Sequence, residues 1–281
     1  MKKKMNNITT VLLVVLLLAG LSLLLYPTVS DYWNSFRQSK AISNYAEQVA
    51  ELSEEEYNQI IEAARNYNRR LCEGGITVAE REKEEYKKLL DVSGLGVMGY
   101  IEIPQINCSL PIYHGTEDSV LQIAIGHIEW SSLPIGGIGA HCVLSGHRGL
   151  PSAKLFSNLD KLQSGDIFML RVLDEVLTYE VDQILIVEPH EVSSLAISPE
   201  EDYCTLVTCT PYGINTHRLL VRGHRIENLE QSKIIRVTAD ATQIEPMIVA
   251  PFAAIPLLLA LLLFLVVPKK KPKRGDEDEI L

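Results

Sequence analysis

Cysteine is scarce in this 281-residue chain: Cys72, Cys108, Cys142, Cys204 and Cys209 make an odd total of five. No C-x-x-C pair occurs among them, and none stands at zinc-ligand spacing from a histidine. His141 with His147, or His217 with His224, would form a ligand pair, but neither has supporting partners beside it. No metal and no cofactor are expected. Positive charge is short too, with 26 Lys and Arg against 36 Asp and Glu, a formal net charge of -10. Nucleic acid is thereby excluded as a partner, because binding phosphates needs a basic face. What the chain does have is long apolar runs.

Residues 8–25 are almost wholly apolar and follow Lys2, Lys3 and Lys4. A bilayer-spanning helix needs about 20 such residues. A cleaved signal peptide, processed near Thr28-Val29-Ser30, is the competing reading. The run exceeds the usual signal core of about 7 to 15 residues and so favours an uncleaved anchor over residues 8–26. Residues 247–267 form a second run, followed at once by Lys269, Lys270, Lys271, Lys273 and Arg274. With cations before the first run and after the second, the positive-inside rule puts tails 1–7 and 268–281 in the cytoplasm and the intervening chain outside.

Outside the membrane, residues 27–97 read as a helical lead-in. Ile42, Tyr45, Val49 and Leu52 recur on one helical face. Ser53-Glu54-Glu55-Glu56 has the form of a capping box opening a second helix, whose apolar side carries Tyr57, Ile60, Ile61, Ala64 and Leu71. Cys72 to Ser93 is a charged linker or flap. From residue 98 to about 230 the texture changes to short strands: Tyr100–Ile103, Leu110–Tyr113, Cys142–Ser145, Asp166–Val172, Leu177–Val187, Tyr203–Cys209 and His217–Arg225. Pro111 marks the second as an edge or irregular strand. Strands at this spacing predict one mainly β sandwich or barrel, joined by a linker over 231–246 to the second span.

The last two strands flank Thr210-Pro211-Tyr212-Gly213-Ile214-Asn215-Thr216, a turn rich in Pro, Gly and Asn. Cys209 ends the strand before it and Arg218 begins the strand after it. Two readings stand for this hairpin alone: a buried cysteine beside a solvated arginine, or a nucleophilic thiol with a guanidinium placed for a developing oxyanion. His147, in a Gly-flanked turn after another strand, completes a set of thiol, imidazole and guanidinium.

These residues carry a resemblance. Thr205-Leu206-Val207-Thr208-Cys209 matches the Thr-Leu-x-Thr-Cys signature of the sortases, membrane-anchored cysteine transpeptidases of Gram-positive bacteria. Leu144-Ser145-Gly146-His147-Arg148-Gly149 and Thr216-His217-Arg218-Leu219-Leu220-Val221 match the family's histidine and arginine motifs. Met98 to Pro104, Leu133 to Gly137, Pro151 to Phe156 and Thr208 to Gly213 resemble the pilus-assembling branch, class C.

The resemblance implies a closed eight-stranded β-barrel with N-terminal helices and two transmembrane helices. It implies a sorting-signal substrate of the Leu-Pro-x-Thr-Gly type, with pilin subunits as partners and a pilin lysine as acceptor. It further implies Cys209 as nucleophile, His147 as acid and base, Arg218 as oxyanion stabiliser, and Thr208 as a substrate-holding residue. Class C enzymes usually carry a lid with an Asp-Pro-aromatic motif; Leu71 to Thr77 lacks one, so a degenerate lid with Cys72 near the groove is the expectation. A sortase that anchors proteins to peptidoglycan and a non-catalytic membrane-anchored scaffold are the alternatives.

Overall fold

In a computed structural model of the chain, residues 2–74 and 85–228 are described. The linker 231–246, the second apolar run 247–267 and the C-terminal tail lie outside the described residues, as does 75–84. The described chain falls into two units, residues 2–28 and residues 29–228.

The first unit is helical throughout and belongs to α1 (Lys2–Ala50). Among the described residues, one helix is long and apolar enough to cross a membrane, and it is this one. Of the helical face read from Ile42 to Leu52, Ile42, Tyr45 and Val49 belong to the later part of α1, which in the second unit lies along the β-structure, and Leu52 follows the helix end. There the Tyr45 hydroxyl donates to Met98 O (3.0 Å) and accepts from Leu173 N–H (2.7 Å), and burial pushes its phenol pKa well up. The capping box forms as expected. Ser53 N–H donates to the Glu56 carboxylate (3.0 Å), Glu56 N–H donates to Ser53 Oγ (3.3 Å), and α2 (Glu54–Gly74) follows. Its apolar face buries Ile61, Ala64, Tyr67 and Leu71. Buried Asn68 fixes the register of that packing, donating to Leu133 O (3.1 Å) and accepting from Leu133 N–H (2.7 Å). The later part of α1 and α2 are therefore docked against the barrel.

Eight strands close into a barrel: β1 (Val97–Ile103), β2 (Cys108–His114), β3 (Ile125–His127), β4 (Ala140–Ser145), β5 (Ile167–Val172), β6 (Glu175–Val187), β7 (Asp202–Thr210) and β8 (His217–Ile226). Their order around the barrel is β1-β2-β3-β4-β7-β8-β6-β5. β3 was not read from the sequence, being three residues long, too short for alternation to register. It pairs in parallel with β2 only from Ile112 onward, so Pro111 has a partner in β1 alone. Pro111 thus sits at a local edge within a closed barrel. The interior is filled by Ile101, Ile103, Ile112, Leu144, Phe156, Phe168, Leu170, Tyr179, Leu206 and Val221 among others, all at or near full burial.

Of the free thiols, Cys142 and Cys204 are opposite one another across β4 and β7, both buried, and burial pushes Cys204 well up. Cys108 is pushed up to about 12 by burial alone. Cys142 and Cys204 are core thiols, and Cys108 is half-buried at the start of β2.

Candidate active site

β4 and β7 run parallel, with Ser145 level with Val207. The ladder continues one step past the end of β4. Gly146 N–H donates to Val207 O (3.0 Å), and the Thr208 hydroxyl donates to Gly146 O (2.7 Å). Only glycine fits at 146, because a Cβ there would stand 2.7 Å from the Phe156 ring and 2.9 Å from Ile125. The next residue on each chain is His147 on one side and Cys209 on the other. Adjacent strands lie about 4.8 Å apart, so the two side chains leave neighbouring strands at the same level.

β8 supplies the third group. Arg218 is directly opposite Cys209 in the antiparallel β7–β8 pair, and opposite Val187 of β6 on its other side. Its Nη1 donates to His217 O (3.1 Å) and Asn215 O (3.3 Å), which turns the guanidinium toward the hairpin tip. Asn215 and Gly213 take positive φ, +62° and +76°, in the tight turn that the Gly and Asn content predicted. Cys209, His147 and Arg218 are all half-buried, accessible to a substrate yet seated on the sheet. Strand register therefore brings the three sequence-predicted groups together.

Alternation along β7 separates Thr208 from them. Val207 and Cys209 face outward, whereas Thr208 is 2% exposed and faces into the barrel, where its hydroxyl is committed to Gly146. The expectation that it holds substrate is corrected: its hydroxyl ties the turn that carries His147 to the strand that carries Cys209. The alternation of β7 carried this information, since any register that presents Cys209 turns Thr208 inward.

Cys72 lies elsewhere. Its Sγ would be 3.0 Å from a Cβ built on Gly139, just before Ala140 at the start of β4. His147 leaves the other end of that strand, roughly 17 Å away at about 3.3 Å per residue. Cys72 is thus not over the groove beside Cys209, and the expectation of a lid thiol there is corrected. The remainder of the expected lid segment, 75–77, lies outside the described residues.

Several residues that the sequence left unremarked shape the site. Arg148 is nine-tenths buried; its Nη2 pairs with Asp160 (2.6 Å), its Nη1 donates to Thr210 Oγ1 (3.2 Å), and its guanidinium lies 5.9 Å from the Tyr212 ring centre. It therefore joins the residue after His147 to the residue after Cys209. These groups, with Ile184, Ile186, Pro211 and Leu219, line a groove of about 580 Å³. On the outer face, Val143, Val207, Leu220 and Leu195 form an apolar strip, with Leu185, Val187 and Trp130 packed against it. His141 secures the connection that carries Leu195, with Nδ1 2.9 Å from Ala196 O and Nε2 2.7 Å from Thr205 Oγ1. Burial pushes its pKa down, so the neutral ring donates from Nδ1 and accepts at Nε2. Among the described residues no group of three or more His, Cys, Asp or Glu is disposed to hold a metal ion.

The arrangement has known counterparts. The family model described as "Sortase domain" matches residues 101–241, half of the chain. The chain belongs to the sortase family. The curated Sortase D of Bacillus subtilis (strain 168) is 32% identical over 131 residues, which cover 46% of this sortase and 63% of the relative. The chain thus spans a little under two thirds of that relative, and it spans 48% of a 33% identical Sortase A from Streptococcus agalactiae. Among solved structures, sortase C1 of Streptococcus agalactiae superposes with a TM-score of 0.66 at 51% identity, over 68% of this sortase and all of that chain. Clostridium perfringens sortase C, solved with the C-terminal cell wall sorting motif, gives 0.60 at 45% identity over 68% of this sortase and all of that chain.

Proposed function

We propose that this sortase is a class C cysteine transpeptidase that cleaves a Leu-Pro-x-Thr-Gly-type sorting signal between Thr and Gly and transfers the acyl group to a lysine amine of a pilin subunit. The observation that carries the reading is the register: Cys209 opposite Arg218 on β8 and level with His147 beyond β4. The likeness to sortase C structures, one of them containing a sorting motif, supports the branch and the substrate class.

In the first half-reaction the Cys209 thiolate attacks the Thr carbonyl carbon and an S–C bond forms. The oxyanion that develops is stabilised by Arg218, which stays protonated and so serves electrostatically. The C–N bond to Gly then breaks, and His147 gives its proton to the departing amine. In the second, a lysine amine attacks the thioester carbon, His147 takes up the amine proton, and the Cys209 thiolate leaves. The products are an isopeptide bond and the starting enzyme. The first apolar helix anchors the enzyme; residues 247–267 form a second span, which leaves both termini cytoplasmic and the barrel outside.

Incubating the full chain in detergent with a sorting-signal peptide and a lysine-bearing pilin peptide tests the reading. Mass spectrometry is expected to find a thioacyl adduct on Cys209 and an isopeptide-linked product, both lost in Cys209→Ala. A product lacking the lysine peptide while diaminopeptide acceptors are used instead would move the enzyme to peptidoglycan anchoring. No adduct with any sorting peptide would leave a scaffold protein.

A further inference from the structure

The part of α1 that belongs to the barrel unit has two unlike faces. Asp31, Asn34 and Gln38 recur at helical spacing and all hold the barrel. Asp31 accepts from Lys154 N–H (2.8 Å), Asn34 Nδ2 donates to Ser152 O (2.9 Å), and Gln38 Nε2 donates to Ile123 O (2.6 Å). Val29, Tyr32, Trp33 and Phe36 recur at i, i+3, i+4 and i+7, and at about 100° per residue they centre on the opposite side. Each is 58–62% exposed. Four large apolar side chains in one stripe on a single helix are too many for water to be their resting environment.

The occupant is identified by composition and sequence position. The stripe follows directly on the apolar run of residues 8–25. It is rich in Trp and Tyr, whose rings prefer the zone between acyl chains and headgroups. Its outer margin is cationic, with the Arg37 guanidinium 5.9 Å from the Trp33 ring centre and exposed Lys40 one turn beyond Phe36. That order, aromatic then basic, is the one in which an interfacial helix meets lipid phosphates.

We infer that Val29, Tyr32, Trp33 and Phe36 lie in the bilayer interface and hold the loop that follows His147 against the membrane surface. Ser152 and Lys154, five and seven residues after the histidine, are gripped by the opposite face of the same helix turns. A helix with its side chains is about 10–12 Å across, so the catalytic loop sits roughly one helix diameter from lipid. Substrates whose cleavage sites lie close to the membrane are presented at that height. This last consequence rests on the transpeptidase reading; the lipid contact itself does not.

The test uses the full chain carrying Trp130→Phe, which leaves Trp33 as the single tryptophan, in phosphatidylglycerol–phosphatidylcholine vesicles. Trp33 emission is expected to fall severalfold more with lipids brominated near the headgroup end of the acyl chain than with lipids brominated near the terminal methyl. Aqueous iodide is expected to leave it unquenched. Quenching by iodide with none by bromolipid would place the stripe in water and overturn the inference. Shielding from both would also overturn it, with a second copy as the cover if the shielding fades on dilution into excess lipid, or residues 229–281 if truncation removes it. A second arm, in the chain that keeps Trp130, uses Tyr32→Ser/Trp33→Ser/Phe36→Ser, expected to cleave a soluble sorting peptide at the parent rate and a vesicle-tethered one severalfold more slowly. Bromolipid quenching without that difference would retain the lipid contact and refute its role in presentation. Loss of all cleavage by the parent chain would instead refute the transpeptidase reading.

Discussion

Replacing Thr208 by valine separates two roles that sequence alone cannot tell apart. The side chain is buried within the barrel and its hydroxyl donates to Gly146 O at 2.7 Å. Valine keeps the shape and removes the donor. A neutral buried hydrogen bond contributes about 1 kcal/mol net, and the carbonyl left short of a donor adds to the loss, while a methyl in place of a hydroxyl returns part of it. The balance is a destabilisation of about 1 kcal/mol, read as a lower urea midpoint at unchanged slope. Because this bond holds the residue before His147 against the residue before Cys209, up to the same energy is lost in the relative positioning of His147 and Cys209. At 1.36 kcal/mol per tenfold, kcat falls by up to about fivefold, with KM unchanged. Peptide cleavage with varied substrate, beside urea unfolding, reads both. A raised KM at unaltered stability would mean that the hydroxyl contacts substrate, and would refute the assignment drawn from alternation along β7.

Three further outcomes follow from contacts elsewhere. Tyr45→Phe deprives Leu173 N–H of its acceptor and Met98 O of its donor, both in buried surroundings, and should lower stability by about 2 kcal/mol in urea. Cys72→Ser should leave the alkylation rate of Cys209 unchanged, and mild oxidation should trap no Cys72–Cys209 disulfide. Recovery of that disulfide by mass spectrometry would contradict the placement of Cys72 beside Gly139. His141 and His114 are both held below their ordinary pKa, chiefly by burial. The unfolded chain then binds more protons than the fold as pH drops through about 6.5, so stability is lost on acidification, by at most about 1.4 kcal/mol per pH unit for each ring. His141→Gln should flatten part of that slope in urea melts at stepped pH; an unchanged slope would assign it to other groups.

Most of the strand set was legible because alternation and turn chemistry are local signals. The Cys209–Arg218 hairpin is one example: the Pro, Gly and Asn content of its turn fixes where each strand ends. The capping box at Ser53 and Glu56 is another. What escaped depends on packing between distant segments. β3 exists because β2 and β4 offer it partners on both sides, and its three residues carry no period of their own. Asn68 reads as one more polar residue on a helix until Leu133 is brought beside it. Arg148 looks like surface charge next to a histidine until Asp160, Thr210 and Tyr212 close round it. Thr208 and Cys72 were misjudged in different ways. The first was readable from alternation. The second required knowing that α2 ends at the far end of β4.

The parallel pairing of β4 with β7 has a consequence for engineering. The spacing of His147, Cys209 and Arg218 is written into backbone ladders, whereas the outer apolar strip is roofed by the connection between β6 and β7 through Leu195. The two are mechanically separable. A graft that exchanges residues 188–201, keeping an acceptor for the His141 Nδ1 proton, would change what covers that strip while leaving Cys209, His147 and Arg218 at their original spacing. The fold in that sense offers a fixed reaction head with an interchangeable jaw.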